Sequence, residues 1–136
     1  MPNRQMYLNL PVRNLARSME FFRKLGFEFN PQFTDERAAC VIFSADAYVM
    51  LLQDEFFRTF TMRQIVDTTK YSEAITAFSC PSREAVDELA DAAIAAGGTS
   101  AMPPVDMGFM YSRSFYDLDG HHWEPMWMDP AAVQPT

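Results

Sequence analysis

Cysteine is scarce in this chain: Cys40 and Cys80 are the only two. Two thiols are too few for a disulfide scaffold, and both lie inside apolar runs, where a thiol behaves as a small buried hydrophobe. Positive charge is also sparse. The 11 basic residues are outnumbered by 18 acidic ones, for a net charge of −7, and they are scattered singly. A nucleic-acid binder needs a basic face to displace counterions from phosphates, so that class is excluded. No apolar run approaches the length of a membrane span. The opening residues, MPNRQMYLNL, hold no apolar core followed by a cleavage site, and these absences together place the expectation in the cytoplasm.

What is abundant is soft and aromatic. The chain has 10 Met and 12 Phe, and 49% of its 136 residues are hydrophobic. That length suits a single domain able to bury its own core. Met and Phe fill irregular cores, and they also line adaptable pockets.

Residues 7–12 read as a strand. Asn14 is placed to cap a helix whose apolar residues Leu15, Met19, Phe22 and Leu25 recur at helical spacing. Gly26 ends it at a position that favours a left-handed residue. Strands are expected at 27–33, 38–43 and 47–52, the last two joined through Ser44, Ala45 and Asp46. Residues 54–72 then lose strand alternation and read as a crossover with short helices. There Phe56, Phe57, Phe60 and Ile65 either pack over a sheet or cover the mouth of a cavity. The order next recurs: strand 74–80, Ser82 as cap, a helix carrying Val86, Leu89, Ala93 and Ile94, a stop at Gly97-Gly98, and strands at 99–102, 109–116 and 121–127. Residues 129–136 read as a frayed tail.

A repeat of this period decides the architecture. Val12 falls on Cys80, and Asn14 on Ser82, so the two caps coincide at an offset of 68. Near the ends of the halves the offset is 74, which lays residues 47–50 on 121–124. The expected fold is α+β: two βαβββ modules, about 5–53 and 73–128, curling mixed sheets around a shared cavity within one domain.

Three stretches carry a family resemblance: Val12-Arg13-Asn14, Ser18-Met19-Glu20-Phe21-Phe22, and Leu25-Gly26-Phe27. With the closing DLDGHHWEPMW, they resemble the glyoxalase, bleomycin-resistance and extradiol-dioxygenase (vicinal oxygen chelate) superfamily. Membership implies a cavity in which four inward side chains, usually His or Glu, hold a divalent metal that polarises substrate oxygens. It also implies a homodimer. Carried over one at a time, the ligand positions fall on Tyr7, Met50, Ile75 and Glu124. Only Glu124 is a usual ligand. Isoleucine binds no metal, and a thioether suits hard divalent ions poorly.

Other residues complete the candidate site. Asn9 offers an amide oxygen to hard cations. His122 shares a strand face with Glu124, whereas His121 points the other way. Glu124 is the best single candidate for a general base, with structural pairing to an arginine as the alternative. In GFMYSRSF, alternation puts Phe109, Tyr111, Arg113 and Phe115 on one face. There Arg113 either clamps a ligand anion among aromatic rings or pairs with Glu124 or Asp117. These features point to a small-molecule binder for aromatic or oxygenated ligands, with the standard metal centre disfavoured. A lyase or dioxygenase using Glu124 with unusual ligands and a non-catalytic homodimeric module are the competing readings.

Overall fold

The computed structural model describes residues 2–132. The chain divides into two compact units, residues 1–67 and 68–136. In the first unit, β1 (Met6–Val12) leads through Asn14 into α1 (Leu15–Lys24). Asn14 Oδ1 accepts from the Arg17 amide at 3.2 Å, satisfying one of the free donors at the helix start. Gly26, at φ 95, supplies the left-handed turn after the helix. Strands β2 (Glu28–Phe29), β3 (Ala38–Ile42) and β4 (Ala47–Gln53) complete a sheet of order β1-β4-β3-β2, in which β1 runs parallel to β4. Leu10, Val12, Val41, Val49 and Leu51 are buried together with Leu15, Phe21 and Phe22 of α1. Each fully buried side chain of this size contributes about 1.5–3 kcal/mol.

The strand expected over residues 27–33 is cut short at Phe29. Pro31 lacks an amide hydrogen, and Asn30 Oδ1 accepts from the Gln32 amide, so the chain turns into a 3-10 segment at Pro31–Phe33. Within the expected crossover stand α2 (Asp54–Phe57) and a 3-10 turn at Arg58–Phe60. The stretch does not stand apart, because it belongs to the first compact unit as far as Asp67. Phe56 packs edge-on against Phe60, whose side chain remains largely exposed.

The second unit repeats the plan. β5 (Ile75–Ser79) leads to α3 (Arg83–Ala95), where Ser82 caps the helix by accepting from the Ala85 amide at 3.1 Å. β6 (Thr99–Ser100), β7 (Val105–Asp106), β8 (Met110–Ser112), β9 (Phe115–Tyr116) and β10 (His122–Met128) follow. β10 lies parallel to β5 on one side and antiparallel to β8 and β9 on the other. The strand expected at 109–116 is thus two strands. Arg113 donates its amide to the Pro125 carbonyl at 3.2 Å, but Pro125 has no amide to return, and the ladder breaks there. The Pro103-Pro104 pair likewise separates β6 from β7.

Trp123, the largest fully buried side chain, anchors this core with Phe115, Val86 and Ala93. Asp117 is buried beside it and accepts three hydrogen bonds: from the Asp119 and His121 amides and from Trp123 Nε1, at 2.9, 3.0 and 2.9 Å. Desolvation raises the Asp117 carboxyl above its usual range, despite its donors and the nearby His121. Of the expected tail, Pro130–Ala132 forms a 3-10 turn, and residues 133–136 lie outside the described residues.

Candidate functional site

Strand register places Tyr7, Asn9, Met50, Ile75, His122 and Glu124 on the sheet face opposite the helix-covered row. In the first module Tyr7 lies across from Tyr48, and Asn9 from Met50. The Tyr7 and Tyr48 rings stack at 4.9 Å. Tyr7 Oη donates to Gln5 Oε1, and Asn9 Nδ2 donates to the Tyr7 carbonyl. Cys40 is the antiparallel partner of Met50, and burial raises its thiol above the usual value.

In the second module Ile75 lies across from His122, and Ala77 from Glu124. Tyr7–Tyr48 and Ile75–His122 are therefore the same pair in the two modules, at offsets of 68 and 74. Ile75 is exposed, whereas His122 and Glu124 are half-buried. Two polar groups on this face lack partners among the described residues. Glu124 forms no hydrogen bond or ion pair there. His122 Nε2 is buried and makes no hydrogen bond. The His122 ring meets Tyr116 edge-on at 5.3 Å. Two unpartnered groups two residues apart on one strand present an acceptor carboxylate and an imidazole nitrogen side by side.

His121 points to the other face, as alternation requires. It is buried, and its Nδ1 donates to Glu73 Oε1 at 2.6 Å. Tyr111 and Arg113 do share a face, but it is the face covered by α3. Tyr111 Oη donates to Asp87 at 2.6 Å, and Arg113 Nη1 donates to Asp87 and Asp91 at 3.2 and 2.8 Å. The expected pairing of Arg113 with Glu124 or Asp117 is thus replaced by two helix carboxylates. Helical spacing puts Asp87 and Asp91 one turn apart and toward the strand, a signal legible in α3 itself. Tyr111 and Arg113 are therefore not brought together with His122 and Glu124.

A metal is the group that the resemblance implies. Of the four carried positions, Tyr7, Met50, Ile75 and Glu124, one carries a carboxylate, none an imidazole, and Ile75 no donor at all. Among the described residues no three His, Cys, Asp or Glu side chains cluster as a metal ion would need. This donor set does not fit the standard four-ligand centre. No helix among the described residues is long and apolar enough to cross a membrane.

Paired βαβββ modules, each with helix-covered and open sheet faces, define an α+β protein of the glyoxalase fold class. A family model for the Glyoxalase/Bleomycin resistance protein/Dioxygenase superfamily matches residues 4–124, and the chain belongs to that superfamily. A hypothetical protein of S. aureus has a similar structure at 28% identity, with a TM-score of 0.76 over 90% of this chain and 92% of that one. A glyoxalase/bleomycin resistance protein/dioxygenase family enzyme of Burkholderia phytofirmans is similar at 18% identity, with a TM-score of 0.73 over 90% and 96%. The fosfomycin resistance protein FosX of Mesorhizobium loti is similar at 18% identity, with a TM-score of 0.68 over 96% and 97%. The last two likenesses show the fold alone. No curated protein sequence matches the chain.

Proposed function

We propose that this protein is a small-molecule-binding member of the superfamily that works without the standard four-ligand metal centre. The observation that carries the reading is the pair on β10: a Glu124 carboxylate and a buried His122 Nε2, each without a partner among the described residues, with Ile75 and Tyr116 flanking His122. An unmade hydrogen bond on a buried group costs about 1–3 kcal/mol, so a ligand that supplies the missing partner recovers that free energy. A carboxylate two residues along the strand from an imidazole that is itself flanked by Ile75 and Tyr116 suits a cationic aromatic compound, and the net charge of −7 favours its approach. Tyr7, Asn9 and Met50 are the proposed ligand-contact residues of the first unit, at the equivalent strand positions. The protein acts in the cytoplasm as a homodimer.

The test combines elemental analysis with a thermal-shift screen. Purified untagged protein, dialysed without chelator, is measured for divalent metals and then heated with a panel of aromatic cations. The expected result is no stoichiometric metal and stabilisation by an aromatic cation. At a hundred times the Kd that stabilisation amounts to about 2.7 kcal/mol. It should be lost in Glu124→Gln. One metal per chain, released by Glu124→Ala, overturns the proposal and favours a lyase or dioxygenase with unusual ligands.

A further inference from the structure

One corner of each module can be compared through the repeat. In the second module Tyr111 lies opposite Trp127 at the end of the β8–β10 ladder. The Arg83 guanidinium sits over both rings, at 5.2 and 5.1 Å, and grips the Asp106 carboxylate with two bonds of 2.9 Å. Its Nη2 also donates to the Gly108 carbonyl. A guanidinium set on an aromatic ring and closed by a carboxylate thus fills that corner.

The first-module counterpart of Tyr111 and Trp127 is Arg37 and Gln53, where the Gln53 amide donates to the Arg37 carbonyl at 2.9 Å. Here the corner opens into a cleft of about 530 Å³ lined by Arg13, Arg37, Gln53, Phe56, Arg58 and Thr59. The Arg37 guanidinium lies 4.4 Å over the Phe56 ring, the same cation–aromatic arrangement as at Arg83. Neither Arg37 nor Arg58 forms an ion pair among the described residues. The floor is fixed, because Gln53 Oε1 accepts from the Leu15 amide and its Nε2 donates to the Arg13 carbonyl. The cleft stands at the carboxyl ends of the parallel strands β1 and β4.

We propose that this cleft is a binding site for a small organic monocarboxylate, gripped by Arg37 and Arg58 as Asp106 is gripped by Arg83. The planar guanidinium fork matches a carboxylate in geometry and in charge. Phe56 holds Arg37 in place, so less side-chain freedom is lost when the anion docks. Asp54 and Glu55 also line the cleft against three guanidinium groups, so the lining itself carries one positive charge in excess, with Asp35 acting on Arg37 from beside it. That excess matches a monoanion and disfavours a dianion such as phosphate. Every residue that lines the cleft belongs to the first unit.

The test is a 1H–15N NMR titration of the full chain with benzoate, with inorganic phosphate and benzylammonium run in parallel. Saturable shifts are expected with benzoate at the Arg37, Gln53, Phe56 and Thr59 amides and at the arginine side-chain Nε–H signals. Arg37→Gln and Arg58→Gln, both exposed positions, should each weaken binding about tenfold or more. Phosphate binding more tightly than benzoate would overturn the assignment. So would benzoate shifts that never saturate, or affinity that both arginine variants leave intact.

Discussion

Trp123 Nε1 donates to Asp117 Oδ2 across 2.9 Å, with both residues buried in the second module. The same carboxylate takes the amides of Asp119 and His121, so one side chain closes the turn before β10 and orients the strand that carries His122 and Glu124. Asp117→Ala strands three buried donors together and should cost about 3–5 kcal/mol. Trp123→Phe, which removes one donor and some volume, should cost less, about 1–3 kcal/mol. Urea unfolding of the two single variants and the double variant measures this. Because the two residues are each other's hydrogen-bond partner, the double variant should lose less than the sum of the two.

Gly120 closes the same turn at φ +85, and a Cβ built there would lie 2.9 Å from the Thr68 carbonyl oxygen. Thr68 Oγ1 donates to the Asp119 carbonyl, which ties the start of this unit to the turn. Gly120→Ala therefore combines left-handed strain with a backbone clash that a side chain cannot relieve. The expected loss is about 2 kcal/mol or more, read as a lower Tm.

Much of the fold is legible in the amino-acid order alone. Asn14 and Ser82 act as caps, and Gly26 turns the chain after α1, because capping and turn chemistry are local. The offsets of 68 and 74 reappear as identical register in the two modules, because register follows from alternating burial. The strand breaks at Pro31 and opposite Pro125 depart from the expected strands, although each follows from a missing amide hydrogen. The second of these needs the cross-strand partner to be known. Which face of β8 and β9 meets α3 is not written in the pattern either. Alternation groups Tyr111, Arg113 and Phe115, but only packing tells which side a helix covers.

Stability should respond to acid with two opposite signs. Arg83 holds the Asp106 carboxyl down at about 2, against an ordinary 3.8. The contribution of that pair is complete above 3.8 and is lost as the pH falls from 3.8 toward 2. Burial raises Asp117 above 3.8, so the native form keeps its proton to higher pH. Its contribution therefore declines as the pH rises from 3.8 through that raised value. In urea midpoints taken against pH, Asp106→Asn should flatten the acid limb below 3.8. Asp117→Asn should remove the decline above it. An unchanged acid limb in Asp106→Asn would show that the exposed ion pair is screened to insignificance.

Arg113 answers to α3 rather than to the open face, and its two carboxylate partners are well exposed. Arg113→Gln should cost only about 1 kcal/mol in urea unfolding. It should leave the affinity for aromatic cations unchanged, whereas Glu124→Gln abolishes it. A loss of affinity in Arg113→Gln without a loss of stability would put the guanidinium in the ligand site.

His122 offers the sharpest separation of function from stability. Its buried Nε2 has no hydrogen-bond partner among the described residues, which is a cost carried by the unliganded protein. His122→Phe keeps a ring against Tyr116 and removes the unsatisfied nitrogen, so the free protein should gain about 1 kcal/mol. If the nitrogen is retained for a ligand, the same change should reduce ligand-induced stabilisation even as the unliganded Tm rises. That opposition is the pattern of a residue kept for binding rather than folding. A lower unliganded Tm in His122→Phe would instead assign the imidazole to the core.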